Sequence, residues 1–151
     1  MNAIPTLTPL ALPCNSSFEA KDWEILSSHW YPVARIQDVF NAPQRVTLLD
    51  VNMALYKTKS GEIHLVRDIC PHRGVPLTKG WVDGEEIVCP YHGLRYNTEG
   101  KCTQIPAQPE LTKISDRFSL IKFPVVQRYG LIWTSIHGRD IDKANIPVLD
   151  T

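Results

Sequence analysis

Two short stretches decide the fold of this 151-residue chain: CPHRGVPLTKGW at 70–81 and CPYHGLRY at 89–96. Each stretch holds one cysteine and one histidine, as Cys70-x-His72 and, after sixteen intervening residues, Cys89-x-x-His92. Prolines stiffen both stretches, and glycines permit turns that other residues resist. The pattern therefore predicts two rigid loops that jointly hold one group in a fixed geometry.

Two thiolates and two imidazoles suit either of two metal centres. A zinc ion takes this donor set in a closed tetrahedral site, but zinc fingers place two to four residues between their cysteines. A two-iron cluster divides the donors instead, with two thiolates on one iron and two imidazoles on the other. Because each loop here supplies one Cys and one His, the spacing favours the two-iron cluster.

The composition is that of an ordinary folded domain. Hydrophobic residues make up 43% and charged residues 21%, and 16 Lys and Arg balance 16 Asp and Glu. A chain of this length can bury a substantial core. The neutral balance shows no basic excess, so we expect no binding to nucleic acid.

The N-terminal residues do not resemble a secretion signal. No Lys or Arg precedes Lys21, and Pro5, Pro9 and Pro13 interrupt the apolar residues. No apolar run approaches the length of a membrane span. We therefore expect a cytoplasmic protein with no membrane contact.

Two further cysteines, Cys14 and Cys102, have no histidine nearby. Without a secretion signal, disulfide pairing is a poor explanation for an even number of cysteines. We expect both to be free thiols, Cys102 packed in a sheet and Cys14 in a loose tail.

Short strands and turns dominate the rest of the chain and predict an all-β sandwich or barrel. One short helix is expected after Ser17, which would cap residues 18–28. The predicted strands are HWYPVARI, RVTLLD, MALYK, IHLVRD, EIVCP, LRYN, KCTQI, SLIKFPVVQRY and GLIWTSI.

The predicted organisation is one domain with two flanking segments. Residues 1–16 form an extended arm, 17–138 the domain, and 139–151 a tail or linker. A subdomain at about 68–98 contains the two loops.

At this point the sequence resembles a known family. CPHRGVPLTKGW followed by CPYHGLRY is similar to the Rieske [2Fe–2S] domain, and more narrowly to the N-terminal domain of Rieske non-haem iron oxygenases. The resemblance runs from about Trp30 to Leu149. It implies the Rieske fold, which is an antiparallel β-sandwich base with a small two-loop cluster-binding subdomain.

The resemblance also implies a Rieske-type [2Fe–2S] cluster and its ligands. Cys70 and Cys89 would bind one iron, and His72 and His92 would bind the outer iron near the surface. Tyr96 matches an aromatic position that donates a hydrogen bond near a cysteine sulfur, although it would serve equally as core filling.

The loops depart from those of respiratory-chain Rieske proteins. Val75 and Tyr91 stand where those proteins have a disulfide, and Leu94 stands where they have a serine that donates to the cluster. Fewer hydrogen bonds to sulfur stabilise the reduced cluster less, so we expect a potential at the low end of the Rieske range.

Three aromatic or charged residues beside the ligands are also candidates. Arg73 would lie near the outer histidines, either to dock a partner or simply as a solvated side chain. Tyr91 is a candidate for the same surroundings. Trp81 is expected to pack beneath the cluster loops.

The family's function implies a one-electron relay. A reductase or ferredoxin would donate the electron, and the mononuclear iron of a ring-hydroxylating or demethylating oxygenase would accept it. The remaining histidines, His29, His64 and His137, do not form a pattern for that second iron. We therefore expect an oxidoreductase component that is not catalytic alone, because the catalytic domain is absent from this chain. The alternatives are a stand-alone Rieske ferredoxin and a zinc-stabilised binding module.

Overall fold

The computed structural model describes residues 10–110, 113–138 and 146–149. The described part contains one helix, α1 at Ala20–Leu26, and eleven short strands. The strands are β1 Tyr31–Arg35, β2 Gln44–Leu48, β3 Val51–Lys57, β4 Ile63–Arg67, β5 Trp81–Asp83, β6 Glu86–Val88, β7 Arg95–Tyr96, β8 Cys102–Gln104, β9 Lys122–Phe123, β10 Val126–Arg128 and β11 Leu131–Thr134. The prediction of an all-β chain with one short helix is confirmed.

The strands form three antiparallel sheets. The first has the order β1-β11-β10, the second β2-β3-β4-β9 and the third β5-β6-β7-β8. Strand β1 is an edge strand, which suits Pro32 because proline has no N–H to donate to a second neighbour.

The second sheet lies between two hydrophobic cores. Along β3, Met53 and Leu55 pack in the core shared with α1 and the first sheet. The alternate residues, Ala54 and Tyr56, pack in the core shared with the third sheet. Since successive side chains of a strand point to opposite faces, β3 is buried on both sides and joins the two halves of the molecule.

The third sheet carries the two Cys–His loops, but they differ in how they are connected. The second loop joins β6 to β7, which pair as a hairpin. The first runs from β4 in the second sheet to β5 in the third. The second loop therefore lies at the tip of a hairpin, and the first does not.

The helix begins later than the sequence suggested. Its N-cap is Glu19, which makes no side-chain cap bond. The backbone N–H of Ser17 donates instead to Asp50 at 3.0 Å, and the hydroxyl of Ser16 accepts from the backbone N–H of Phe18. The two serines thus anchor the chain before the helix, and the prediction that Ser17 caps it is wrong.

The predicted strand SLIKFPVVQRY is divided in two. Strand β9 pairs with β4 in the second sheet, and β10 pairs with β11 in the first. Pro124 lies between them and cannot donate to a strand ladder. The chain changes sheet at this proline.

The predicted arm and tail lie largely outside the described residues, since the structure describes 10–16 of the arm and 146–149 of the tail. Ile146 is almost fully buried and packs with Trp30 and Trp133. In the described part of the chain, no helix has the length and apolar character needed to cross a membrane.

Candidate metal centre

Each of the two loops is closed by a backbone hydrogen bond of the same type. In the first, the N–H of Cys70 donates to the carbonyl of Val75 at 2.8 Å, and in the second, the N–H of Cys89 donates to the carbonyl of Leu94 at 2.9 Å. Each bond therefore spans five residues and folds the chain tightly around the cysteine. The sequence spacings differ, but the two cysteines occupy equivalent positions.

Left-handed backbone conformations close both loops. Gly74 has φ +74° in the first loop, and His92 and Gly93 have φ +66° and +70° in the second. Glycine adopts this region easily, whereas a histidine there is uncommon. The strained conformation of His92 is consistent with a side chain held in place for a function.

The two cysteine thiols are buried side by side. Cys70 and Cys89 are 1% and 0% exposed. Burial raises the pKa of Cys89 to about 11; a backbone N–H of Tyr91 opposes this, and the neighbouring Cys70 adds to it. Without a metal, Cys89 therefore remains a neutral thiol at physiological pH, and binding iron would require its proton to leave.

Tyr96 lies directly against one of these sulfurs. Its hydroxyl oxygen is 3.1 Å from the Sγ of Cys70, and its side chain is fully buried. Burial first, and the bond to Cys70 second, raise the pKa of Tyr96 far above its usual value, so the hydroxyl keeps its proton. A metal-bound Cys70 thiolate has no proton, so Tyr96 would be the donor. Of the two uses suggested by the sequence, the hydrogen bond is present, and the side chain also fills the core.

The two histidines lie nearer the surface than the cysteines. Their ring centroids are 5.7 Å apart and the rings are nearly perpendicular. His92 is exposed and His72 half-buried. The Nδ1 of His72 is buried and has no hydrogen-bond partner among the described residues. Since buried polar atoms are normally paired, a metal bound to this nitrogen would satisfy it.

The donors form two pairs and do not converge on one point. Among the residues that the structure describes, no three His, Cys, Asp or Glu side chains are grouped closely enough for a single ion. A tetrahedral zinc ion needs all four donors at about 2.0–2.3 Å. A two-iron cluster separates buried sulfur ligands from outer nitrogen ligands, so the donor set fits the cluster better than zinc.

The comparison with known proteins agrees with this geometry. The model of the Rieske [2Fe-2S] domain family matches residues 29–124. The chain belongs to this family. It accordingly takes a Rieske-type [2Fe–2S] cluster, and Rieske domains of oxygenase systems serve electron transfer.

The individual relatives are Rieske non-haem iron oxygenases, and this chain matches their N-terminal Rieske domains, as the resemblance implied. The 4beta-methylsterol monooxygenase of Methylococcus capsulatus is 39% identical over 111 residues, which cover 70% of this chain and 29% of that protein. The methylxanthine N1-demethylase NdmA of Pseudomonas putida is 34% identical over 130 residues, covering 82% and 36%.

A solved structure shows the same fold. The crystal structure of apo dicamba monooxygenase matches with a TM-score of 0.74 and 33% identity, covering 82% of this chain and 38% of the other. The chain spans about a third of the length of these three proteins.

The Rieske loops border a cavity of about 890 Å³. One wall is the first loop around His72, a second is the second loop around His92, and a third is the segment between β8 and β9. That segment contains a helical turn at Asp116–Phe118, and the Phe118 ring lies 6.2 Å from the His72 ring. No Cys or His among residues 105–108 and 113–118 marks this third wall in the sequence.

A buried carboxylate fastens the first loop. Asp68, two residues before Cys70, has a fully buried side chain. It accepts the backbone N–H and the hydroxyl of Thr78, both at 2.8 Å, and pairs with Arg45 of β2 at 2.7 Å. The loop is thus closed at its two ends and tied to the second sheet. Its partners are distant in sequence, so no local motif indicated it.

The candidates beside the ligands differ in their positions. Arg73 is exposed and lines the cavity. The ring of Tyr91 lies 4.0 Å from that of His92 and is 45% exposed. The prediction that Trp81 packs beneath the loops is wrong, because it is 51% exposed. In β5, Val82 faces inward, so its neighbours Trp81 and Asp83 face outward.

The four cysteines are all free. Cys14 is exposed, and Cys102 lies in β8, half-buried beside the core under the loops. The position of Cys102 matches the prediction that it packs in a sheet, whereas Cys14 lies in a turn, and a loose tail there stays a prediction. Leu94 is fully buried in that core and Val75 is half-buried against it, so hydrocarbon packing occupies these two positions.

Proposed function

We propose that Cys70 and Cys89 bind one iron of the Rieske cluster and that His72 and His92 bind the outer iron. The observation that carries this assignment is the pairing of two buried thiols with two outer imidazoles, one of which has a buried Nδ1 without a partner among the described residues. When bound, the cluster supplies a one-electron redox couple.

The residues around the cluster would set its environment and the side from which a partner can reach it. The buried cysteines would exclude water from the inner side, and Tyr96 would donate a hydrogen bond to the Cys70 thiolate. The histidines form the edge of the site closest to solvent. A partner docked at this edge would approach the redox centre most closely.

We infer that the chain serves an oxygenase system as an electron carrier. The donor would be a reductase or ferredoxin, and the acceptor would be the mononuclear iron of a ring-hydroxylating or demethylating oxygenase. The support is the identity to oxygenase components such as the dicamba O-demethylase of Stenotrophomonas maltophilia, 36% over 108 residues. Catalysis would then require the oxygenase's iron, and we expect a cytoplasmic location.

Ligation is tested by single substitutions in the intact chain. Cys70→Ser, His72→Ala, Cys89→Ser and His92→Ala should each abolish the Rieske absorption and EPR spectra. Wild-type protein should contain two irons and two labile sulfides per chain. One zinc and no sulfide would instead support the binding module.

Two matched thiols provide the control. Cys102→Ser and Cys14→Ser remove cysteines that lie outside the loops, and both variants should keep the spectrum. The assignment is wrong if Cys102→Ser loses the cluster while Cys70→Ser retains it. Transfer to an oxygenase is tested separately, by whether the reduced protein supports turnover of a purified Rieske oxygenase lacking its own cluster.

A further inference from the structure

Three cations surround the cavity next to the two histidines. Arg73 belongs to the first loop, and Lys113 and Arg117 belong to the third wall, on either side of Ser115. All three side chains are exposed. The described lining of the cavity contains no Asp or Glu, so this edge is locally basic although the whole chain has no net charge.

These cations differ from three of the five other arginines in the described part of the chain, since Arg67 and Arg128 also form no ion pair with a described residue. Arg35, Arg45 and Arg95 each form an ion pair with a carboxylate. Arg73 and Arg117 form none with any described residue, and the same holds for Lys113. Within the described part of the chain, no carboxylate pairs with these three charges, which would leave them free to meet a partner.

The third wall holds one cation in a fixed place relative to the redox edge. The guanidinium of Arg117 lies 4.9 Å above the Phe118 ring, which in turn neighbours the ring of His72. The Ser115 hydroxyl accepts the backbone N–H of Arg117 at the start of this helical turn. Asp116 lines an adjoining hollow together with Lys113 and is not part of the lining of the larger cavity.

We propose that Arg73, Lys113 and Arg117 form a docking surface for an acidic electron-donor protein. This rests on the proposed function, because the surface gains a purpose only if the histidine edge exchanges electrons. A small anion is a poorer match, since small-molecule sites enclose their ligand with convergent polar groups, and these three side chains stand exposed around an open cavity. Exposed complementary charges instead speed encounter between proteins and set its dependence on salt.

The test is calorimetric titration of the cluster-loaded full chain with an acidic plant-type [2Fe–2S] ferredoxin, both oxidised, at low and high ionic strength. The triple variant R73E/K113E/R117E should weaken binding at low salt by about tenfold or more. Wild-type binding should weaken as salt rises, whereas the triple variant should lose most of that dependence. Lys21→Glu, which reverses an exposed cation on α1, should change the affinity less than twofold.

The Rieske EPR spectrum of each variant separates this inference from the proposed function. A triple variant with a normal spectrum and wild-type affinity would overturn the docking surface alone. A wild-type chain without a Rieske spectrum would overturn the proposed function. Saturable binding of inorganic phosphate to these three residues, at matched ionic strength and with ferredoxin displaced, would show a small-anion site and also overturn the docking surface.

Discussion

The two Cys–His loops reach the same geometry around their cysteines by different means. The second loop closes a hairpin, so the pairing of β6 with β7 fixes its two ends. The first loop crosses between two sheets and has no such pairing. Asp68 takes the place of strand pairing in the first loop. It accepts two hydrogen bonds from Thr78 at the far end of the loop and forms an ion pair with Arg45 of the second sheet.

The charged groups near the two loops differ in burial, and burial decides how much they contribute. The Asp68 side chain is fully buried. Near the second loop, Arg95 bridges Glu86 and Asp83, with side chains between 24% and 62% exposed. A partly exposed pair contributes little, whereas removing one member of a buried network leaves donors without partners. The first loop should therefore depend on one carboxylate, and the second should not.

The largest loss of stability should come from Asp68→Ala. The N–H and hydroxyl of Thr78 would lose their acceptor, so we expect a loss of about 2–3 kcal/mol in the free energy of unfolding. Glu86→Ala, which removes a partner of Arg95 beside the second loop, should cost about 1 kcal/mol or less. Urea unfolding of the cluster-loaded protein, followed by circular dichroism, measures both.

Equal losses in the free energy of unfolding of Asp68→Ala and Glu86→Ala would mean that the two loops do not differ in their dependence on a carboxylate. Asp68→Asn refines the test, because the amide oxygen still accepts one hydrogen bond from Thr78 but no longer carries the charge that pairs with Arg45. Its loss should lie between those of the other two variants.

A smaller effect is expected at the glycines that turn the loops. Alanine at φ near +70° costs about 1 kcal/mol, so Gly74→Ala and Gly93→Ala should both lower the free energy of unfolding by about this amount. A Cβ at Gly74 would meet nothing within 4 Å, and at Gly93 it would make an ordinary van der Waals contact, 3.4 Å from Pro106 in the third wall. The two losses in urea unfolding should therefore be similar. A clearly larger loss in one variant would mean that the backbone of its loop is the less tolerant one.

The sequence predicted those parts of the site that are encoded locally. Cysteine and histidine spacing identified all four proposed ligands, and alternation of apolar residues identified most strands. Trp81 was misplaced because the phase of a three-residue strand is set by its pairing with β6, which the local sequence does not contain. Asp68 was missed because Arg45 lies 23 residues away and Thr78 ten. The orientation of Trp81 and the role of Asp68 thus depend on contacts between distant segments, which the local motifs do not contain.

The smallest effect should distinguish the two sulfurs. Cys70 has a side-chain hydroxyl, that of Tyr96, at 3.1 Å, whereas Cys89 is influenced by a backbone N–H of Tyr91. Tyr96→Phe should keep the Rieske spectrum and lower the potential by an amount on the order of tens of millivolts, because the reduced cluster loses a donor to sulfur. Protein-film voltammetry measures this shift.

Tyr56→Phe is the matched control for this substitution. Tyr56 is fully buried in the same core, but its hydroxyl has no hydrogen-bond partner among the described residues. Removing that hydroxyl should leave the potential unchanged and should not lower the free energy of unfolding, since no bond to a described residue is lost. A similar fall in potential in both variants would mean that the effect comes from the polarity of the core. A fall in the potential of Tyr96→Phe alone would mean that the effect comes from the hydrogen bond with Cys70, which belongs to the first loop.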